Sequence, residues 1–294
     1  KKSGKITEEM FSEPLEKKSF SFERIYFSRG SDASIYRERK QLGRLLCPQI
    51  LEAVNNDIKN TVFSYIPNTA EVAFYGMVEG VHKYIKTYQK ERLLNRDEKI
   101  SDEELSEVLS LAPRVEKIAI KDVKLRTFIT QDADRGEMVA HVYDTTYGLI
   151  KRGQDTLVVL DDSIVRGTPL KQSILKILDR LGPKKIVVVS SAPQIRFPDC
   201  YGIDMSRMGE FIAFEAAISL LKEMKREDII LDVYKKCKDS ASLPKEEVEN
   251  YVKAIYEPFT DQQIYDRIAE IMAPTESNAE VQVIYRRLAN LHIA

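Results

Sequence analysis

The chain has 294 residues with 45 Lys and Arg against 46 Asp and Glu, so its formal charge is −1 and no general attraction to nucleic acid follows. At 43% hydrophobic and 31% charged it can bury an ordinary core, which excludes a mainly disordered chain. Its longest apolar runs, such as LVVL at 157–160 and IVVV at 186–189, are strand-sized and far short of the roughly 20 residues of a membrane span, so no membrane association is expected. Cys47, Cys200 and Cys237 are widely spaced without CxxC pairing. That pattern argues against a disulfide framework, a zinc site or a locally encoded iron–sulfur cluster, and it fits a reducing, cytoplasmic setting. The chain begins at Lys1 without the apolar stretch of a signal peptide, and its start reads as the interior of a longer protein.

In chain order, TVFSYI (61–66) predicts a strand, and IPNTAE leads into a helix carrying Val72, Tyr75, Val78, Glu79 and His82 on neighbouring turns. Residues 86–113 are charged, with Ser101 and Glu104 spaced as the capping box of a short helix, and read as an insertion. VEKIAIK (115–121) alternates like a strand, and RTFI (126–129) starts another beyond a polar loop. TLVVLDD (156–162) is the continuously apolar kind of strand found inside parallel sheets. After SIVRGTP a helix presents Leu170, Ile174, Ile177, Leu178 and Leu181 on one face, with Thr168 as N-cap and Pro169 at its first position. Gly182 and Pro183 end it, and KKIVVVSSAP supplies the next buried strand, completing a right-handed β-α-β unit. The implied architecture is α/β, an open parallel sheet flanked by helices. From Gly209 onward the pattern is helical, through GEFIAFEAAISLLKEMK and segments near 227–238, 244–256, 261–273 and 280–292.

Ligands of open α/β sheets bind beyond the carboxyl ends of the strands, where Asp161 and Asp162 stand. Two adjacent carboxylates there can accept hydrogen bonds from a vicinal diol or hold magnesium, which prefers oxygen ligands. The next residues, Ser163, Ile164, Val165, Arg166, Gly167 and Thr168, form a glycine-relaxed turn at a helix start, where backbone N–H groups and the helix dipole favour phosphate. Diol and phosphate sites one loop apart match a ribose 5-phosphate. An Asp pair before a Thr-Pro cap is by itself an ordinary strand end; the whole string carries the chemistry.

VVLDDSIVRGTP resembles the phosphoribosyl-pyrophosphate (PRPP) motif of type I phosphoribosyltransferases, and DDSIVRGT is specifically like that of the amidophosphoribosyltransferase family. Four further strings resemble the same family in its order. IYFSRGSDASIYRERKQLG (25–43) matches through Tyr26, Phe27, Arg29, Ser31, Tyr36, Arg39 and Gly43; IPNTAEVA (66–73) resembles the pyrophosphate loop, LRTFIT (125–130) the end of the flexible loop, and SAPQIRFPDCYGIDM (191–205) a string after the next strand. The likeness spans roughly residues 21–222 outside the insertion.

The resemblance implies a type I phosphoribosyltransferase fold, with a junction segment at 1–58, a core at 59–222 and a C-terminal helical extension at 223–294. It implies that Asp161 and Asp162 bind the ribose hydroxyls and, with Thr69, position Mg2+. Residues 163–168 would hold the 5-phosphate, Pro67, Asn68, Thr69 and Ala70 the pyrophosphate, and Lys121 and Arg126 would close over it, with Lys124 competing with Lys121. Ammonia would displace pyrophosphate from PRPP to give 5-phosphoribosylamine in purine biosynthesis. A glutaminase domain upstream, a homo-oligomer and purine nucleotide inhibitors are also implied. The family's flexible loop is one residue longer and contains a Gly; Pro169 replaces a second Thr; and the ligand set of an iron–sulfur cluster is missing around Cys200, so no cluster is expected. The altered loop leaves a non-catalytic PRPP- or nucleotide-binding homologue as the alternative, and a base-salvage phosphoribosyltransferase as a third reading.

Overall fold

The computed structural model describes residues 9–14, 20, 22–94, 100–121, 143–199, 205–244 and 247–288. The helix α1 (Ala33–Ala53) starts at Asp32, whose carboxylate accepts from the Ser34 N–H at 2.7 Å and the Ile35 N–H at 3.1 Å. The strand β1 (Thr61–Tyr65) follows, and a short loop leads into α2 (Glu71–Leu94), then α3 (Asp102–Ser110) and β2 (Arg114–Val115). β3 (Ala119–Lys121) and β4 (Tyr143–Thr145) pair antiparallel as a separate two-stranded sheet. β5 (Thr156–Asp161) leads through a π-helical turn (Leu170–Ile174) into α4 (Leu175–Arg180), then β6 (Lys185–Ser190). The chain continues through α5 (Ile212–Glu223), α6 (Glu227–Asp239), α7 (Lys253–Tyr256) and α8 (Asp261–Met272) to β7 (Glu280–Tyr285).

Five strands form one parallel sheet in the order β2-β1-β5-β6-β7. Alternate side chains of a strand point to opposite faces, and both faces here are covered. Leu157, Val159, Ile186 and Val188 pack with the helix after β5 and with α5 and α8. Val158, Leu160, Val187 and Val189 pack against α1 and α2. Leu157 through Leu160 are completely buried, which is why their sequence is an unbroken apolar run.

Several local expectations change. Residues 280–285 are a strand, not a helix: EVQVIY also carries a two-residue alternation, and pairing with β6 over about 100 residues decides in favour of the sheet. The C-terminal region therefore completes the central sheet rather than only adding helices to it, and within 244–256 the regular helix is confined to α7. Residues 86–94 belong to the same helix, α2, as the residues before them, while α3 starts as its cap implied, with the Ser101 hydroxyl accepting from the Glu104 N–H at 3.2 Å. The stretch 115–121 divides between β2 and β3, which belong to different sheets. Finally, α2 buries Ala73, Phe74, Met77, Val81 and Ile85 while Tyr75 is exposed, a face rotated from the one expected. The cause is the crossing with α1, where the backbones meet through Gly43 and Gly76: a Cβ on Gly43 would stand 1.7 Å from the Ala73 carbonyl oxygen, and one on Gly76 1.8 Å from that of Lys40.

Candidate active site

The strand order reverses between β1 and β5, since β2 lies outside β1 while β6 and β7 lie outside β5. Tyr65 is in register with Leu160, and the Ile66 N–H donates to the Leu160 carbonyl at 2.9 Å, so the two strands end side by side. Their loops leave in different directions and open a cavity of about 360 Å3 at this switch point. Pro67, Asn68 and Thr69 line it from the β1 loop, and Asp161, Asp162, Ser163, Ile164, Val165, Arg166 and Gly167 from the β5 loop. The peptide bond between Pro67 and Asn68 is cis. Lys121 and Tyr143, opposite each other on the β3–β4 pair, supply a third wall. An aromatic group of Phe22, Tyr26 and Phe27 supplies the fourth, with the Phe22 and Tyr26 rings stacked at 5.5 Å.

The backbone that carries the two carboxylates is held from behind by the chain after β6. The Ser191 N–H donates to the Asp161 carbonyl at 2.9 Å, and the Ala192 N–H and Ser191 hydroxyl both donate to the Asp162 carbonyl at 3.0 Å. The Asp162 N–H donates to the Asp161 Oδ1 at 2.8 Å. The Thr69 hydroxyl hydrogen-bonds the Asp162 carboxylate across the cavity, and the Ser163 hydroxyl donates to its Oδ1 at 3.3 Å. Burial and then the neighbouring Asp162 charge raise the Asp161 carboxyl well above the usual range, opposed in part by Lys121. Burial also raises Asp162, against the hydrogen bonds from Thr69 and Ser163 and the charge of Arg39. Burial first, then both carboxylates, pushes the Tyr143 phenol up to about 12.

Two adjacent, desolvated carboxylates with a hydroxyl beside them are the donor set of a hard divalent cation. Among the described residues no group of three His, Cys, Asp or Glu side chains is placed to hold a metal. A cation here would therefore complete its shell with ligand oxygens and water, as Mg2+ does in phosphate sites.

The loop after Asp162 owes its shape to Gly167, which has φ +68° and lies against the Ile212 side chain. The Ile212 N–H donates to the Val165 carbonyl at 2.9 Å, and Arg166 pairs with Glu210 at 2.8 Å, fastening the loop to the start of α5. Thr168 differs from its expected capping role: the Lys171 N–H already bonds the Gly167 carbonyl at 2.9 Å, so Thr168 lies inside the first turn, exposed and outside the cavity lining. Ala70 is buried beneath the β1 loop rather than facing the cavity. Arg126, Lys124 and Cys200 lie outside the described residues.

Arg39 explains part of the 25–43 motif. Its buried guanidinium donates to the carbonyls of Arg24 at 3.1 Å, Tyr26 at 3.2 Å and Ser28 at 2.8 Å, holding the aromatic wall on α1. Sequence reasoning did not single out Phe22 or Tyr143. Tyr143 joins the site through a β3–β4 pairing that bridges 21 intervening residues, so no local spacing announces it.

No family model matches the chain. It is 26% identical over 209 residues to the amidophosphoribosyltransferase of Haemophilus influenzae, covering 69% of this chain and 35% of that protein. The enzyme of the same name from Pseudomonas aeruginosa is 29% identical over 199 residues (65% and 33%), and that of Lachancea kluyveri 24% identical over 275 residues (89% and 48%). The chain is related to the amidophosphoribosyltransferases. It spans a third to a half of the length of these relatives. Its fold matches the solved structure described as the allosteric regulatory enzyme of purine biosynthesis, with a TM-score of 0.53 and 21% identity over 96% of this chain and 42% of that one. The fold is the type I phosphoribosyltransferase fold expected from the sequence. No described helix is long and apolar enough to cross a membrane.

Proposed function

We propose that this chain is the phosphoribosyltransferase part of an amidophosphoribosyltransferase, which transfers ammonia to PRPP, releases pyrophosphate and forms 5-phosphoribosylamine. The observation that carries this reading is the meeting of the Asp161–Asp162 pair, the Gly167 turn and the Pro67–Asn68–Thr69 loop around one cavity. In this reading the two carboxylates accept hydrogen bonds from the ribose hydroxyls. Backbone N–H groups of residues 163–167 meet the 5-phosphate, and those of the β1 loop meet the pyrophosphate. Asp161, Asp162 and Thr69 would hold Mg2+, which when bound offsets phosphate charge.

The nitrogen lone pair of ammonia forms a bond to C1 of the ribose as the C1–O bond to pyrophosphate breaks on the opposite face, so the configuration inverts. Positive charge develops on the sugar ring and negative charge on the departing pyrophosphate. The chain's main task is to stabilise that leaving group and exclude water. Lys121 stands on the cavity wall for the first purpose, and Arg126 is assigned to it by motif. Phe22, Tyr26 and Phe27 provide an aromatic wall for the second. The full protein would take its ammonia from glutamine through a glutaminase domain, assemble as a homo-oligomer and respond to purine nucleotides.

The test is pyrophosphate release by the purified chain with PRPP, Mg2+ and ammonium. Release that depends on ammonium and is lost in Asp161→Asn and Asp162→Asn supports the reading. PRPP binding without ammonium-dependent release would instead identify a non-catalytic binding homologue, and nucleotide formation from an added purine base would identify a salvage enzyme.

A further inference from the structure

The β3–β4 pair places Lys121 and Tyr143 directly opposite each other, with both side chains lining the cavity. The Lys121 ammonium lies over the Tyr143 ring, 5.9 Å from its centroid, within the range of a cation–π contact. Lys121 ends β3, is exposed, and is near enough to Asp161 to influence its charge. A terminal lysine on a two-stranded ribbon has four rotatable side-chain bonds and loses much rotamer freedom when it engages an anion. A ring beneath the ammonium restricts that freedom in advance.

We infer that Tyr143 is a positioning residue, whose ring holds the Lys121 ammonium inside the cavity where the pyrophosphate of the ligand arrives. The aromatic face carries the effect and the phenol oxygen does not. Tyr143 is suited to the task because an ordinary phenol is neutral near pH 7, so the ring adds no negative charge to a site that must accept a polyanion. The inference rests on the assignment of Lys121 to pyrophosphate in the function proposed above.

The experiment uses the whole chain with Mg2+ and inorganic pyrophosphate or PRPP as titrant. Tyr143→Leu is expected to weaken binding about three- to tenfold, the range of a partly desolvated cation–π contact. Tyr143→Phe keeps the affinity within about twofold because it retains the ring. Lys121→Ala weakens binding, and adding Tyr143→Leu to it causes no further loss, because the ring has no ammonium left to hold. Equal losses in Tyr143→Phe and Tyr143→Leu, additive losses in the double variant, or unchanged binding in Tyr143→Leu would each overturn the inference. A ligand-free readout separates this from the function itself. After isotopic dimethylation of lysines, the Lys121 methyl resonance should be displaced by the Tyr143 ring current and return toward the exposed-lysine position in Tyr143→Leu. Failure of the native chain to bind either anion, with that displacement present, would count against the proposed function and not against the Lys121–Tyr143 contact; absence of the displacement overturns the contact itself.

Discussion

Replacing Gly43 by Ala tests the α1–α2 crossing on which the site rests. Considered as an isolated helix position, the change should stabilise α1 by about 1 kcal/mol, because Ala is the better helix former. The tertiary structure reverses the sign. The new methyl would stand 1.7 Å from the Ala73 carbonyl oxygen, 2.7 Å from its carbon and 2.8 Å from the Met77 nitrogen, all backbone atoms of α2. Ordinary contact distances require the helices to separate by roughly 2 Å. Overpacking of this kind costs about 1–3 kcal/mol, and the rigid backbone on the receiving side places this case at the upper end. With the propensity gain subtracted, the net loss is about 2 kcal/mol, or a fall in Tm of roughly 4–8 °C for a domain of this size. Since α2 begins at Glu71, directly after the Pro67–Asn68–Thr69 loop, the same shift should also weaken pyrophosphate binding. The assay is thermal unfolding of Gly43→Ala beside Gly209→Ala, whose added methyl meets nothing within 4 Å and whose Tm should stay near that of the parent. A Gly43→Ala protein as stable as the parent, or more so, would refute the close-crossing argument.

Three other variants test the site. Asp161→Asn should raise the Tm of the ligand-free chain near neutral pH: a carboxyl whose folded pKa is raised contributes stability below its unfolded value of about 3.9 that is lost as pH rises through the folded value, and the amide removes that loss. The same variant should lose most of the stabilisation gained on adding Mg2+ with pyrophosphate, which paired melting curves would show. Gly167→Ala forces a side chain into φ +68° and against the Ile212 methyl, costing about 1–2 kcal/mol from the backbone alone, and should weaken binding of ribose 5-phosphate, measured by calorimetry. Arg39→Met leaves three carbonyls without their buried donor; a loss on the order of 3 kcal/mol and faster trypsin cleavage at Arg24 and Arg29 are expected, and unchanged cleavage would show that Arg39 does not hold this segment.

Much of the site could be read from short stretches because its chemistry is local. Asp161 and Asp162 end a strand, Gly167 supplies a left-handed turn, and the helix follows at once, so one run of residues specifies the order of carboxylates, turn and helix. The same locality explains Ser101 at the start of α3. Thr168 shows the limit: its identity suits a cap, yet the first helical hydrogen bond is accepted at Gly167, in a loop that the Ile212 N–H also holds through the Val165 carbonyl.

The sequence by itself determined that a parallel α/β sheet exists and that a carboxylate pair, a glycine turn and a helix start follow β5 in immediate succession, because buried strands need continuous apolar runs and a tight turn into a helix needs particular residues side by side. Only the tertiary structure decided that 280–285 is the fifth strand of that sheet, that Gly43 and Gly76 set the buried face of α2, and that Tyr143 stands opposite Lys121. Each of these depends on which distant segment lies alongside. Local pattern leaves more than one pairing open for such segments, and the packing of the whole chain selects one.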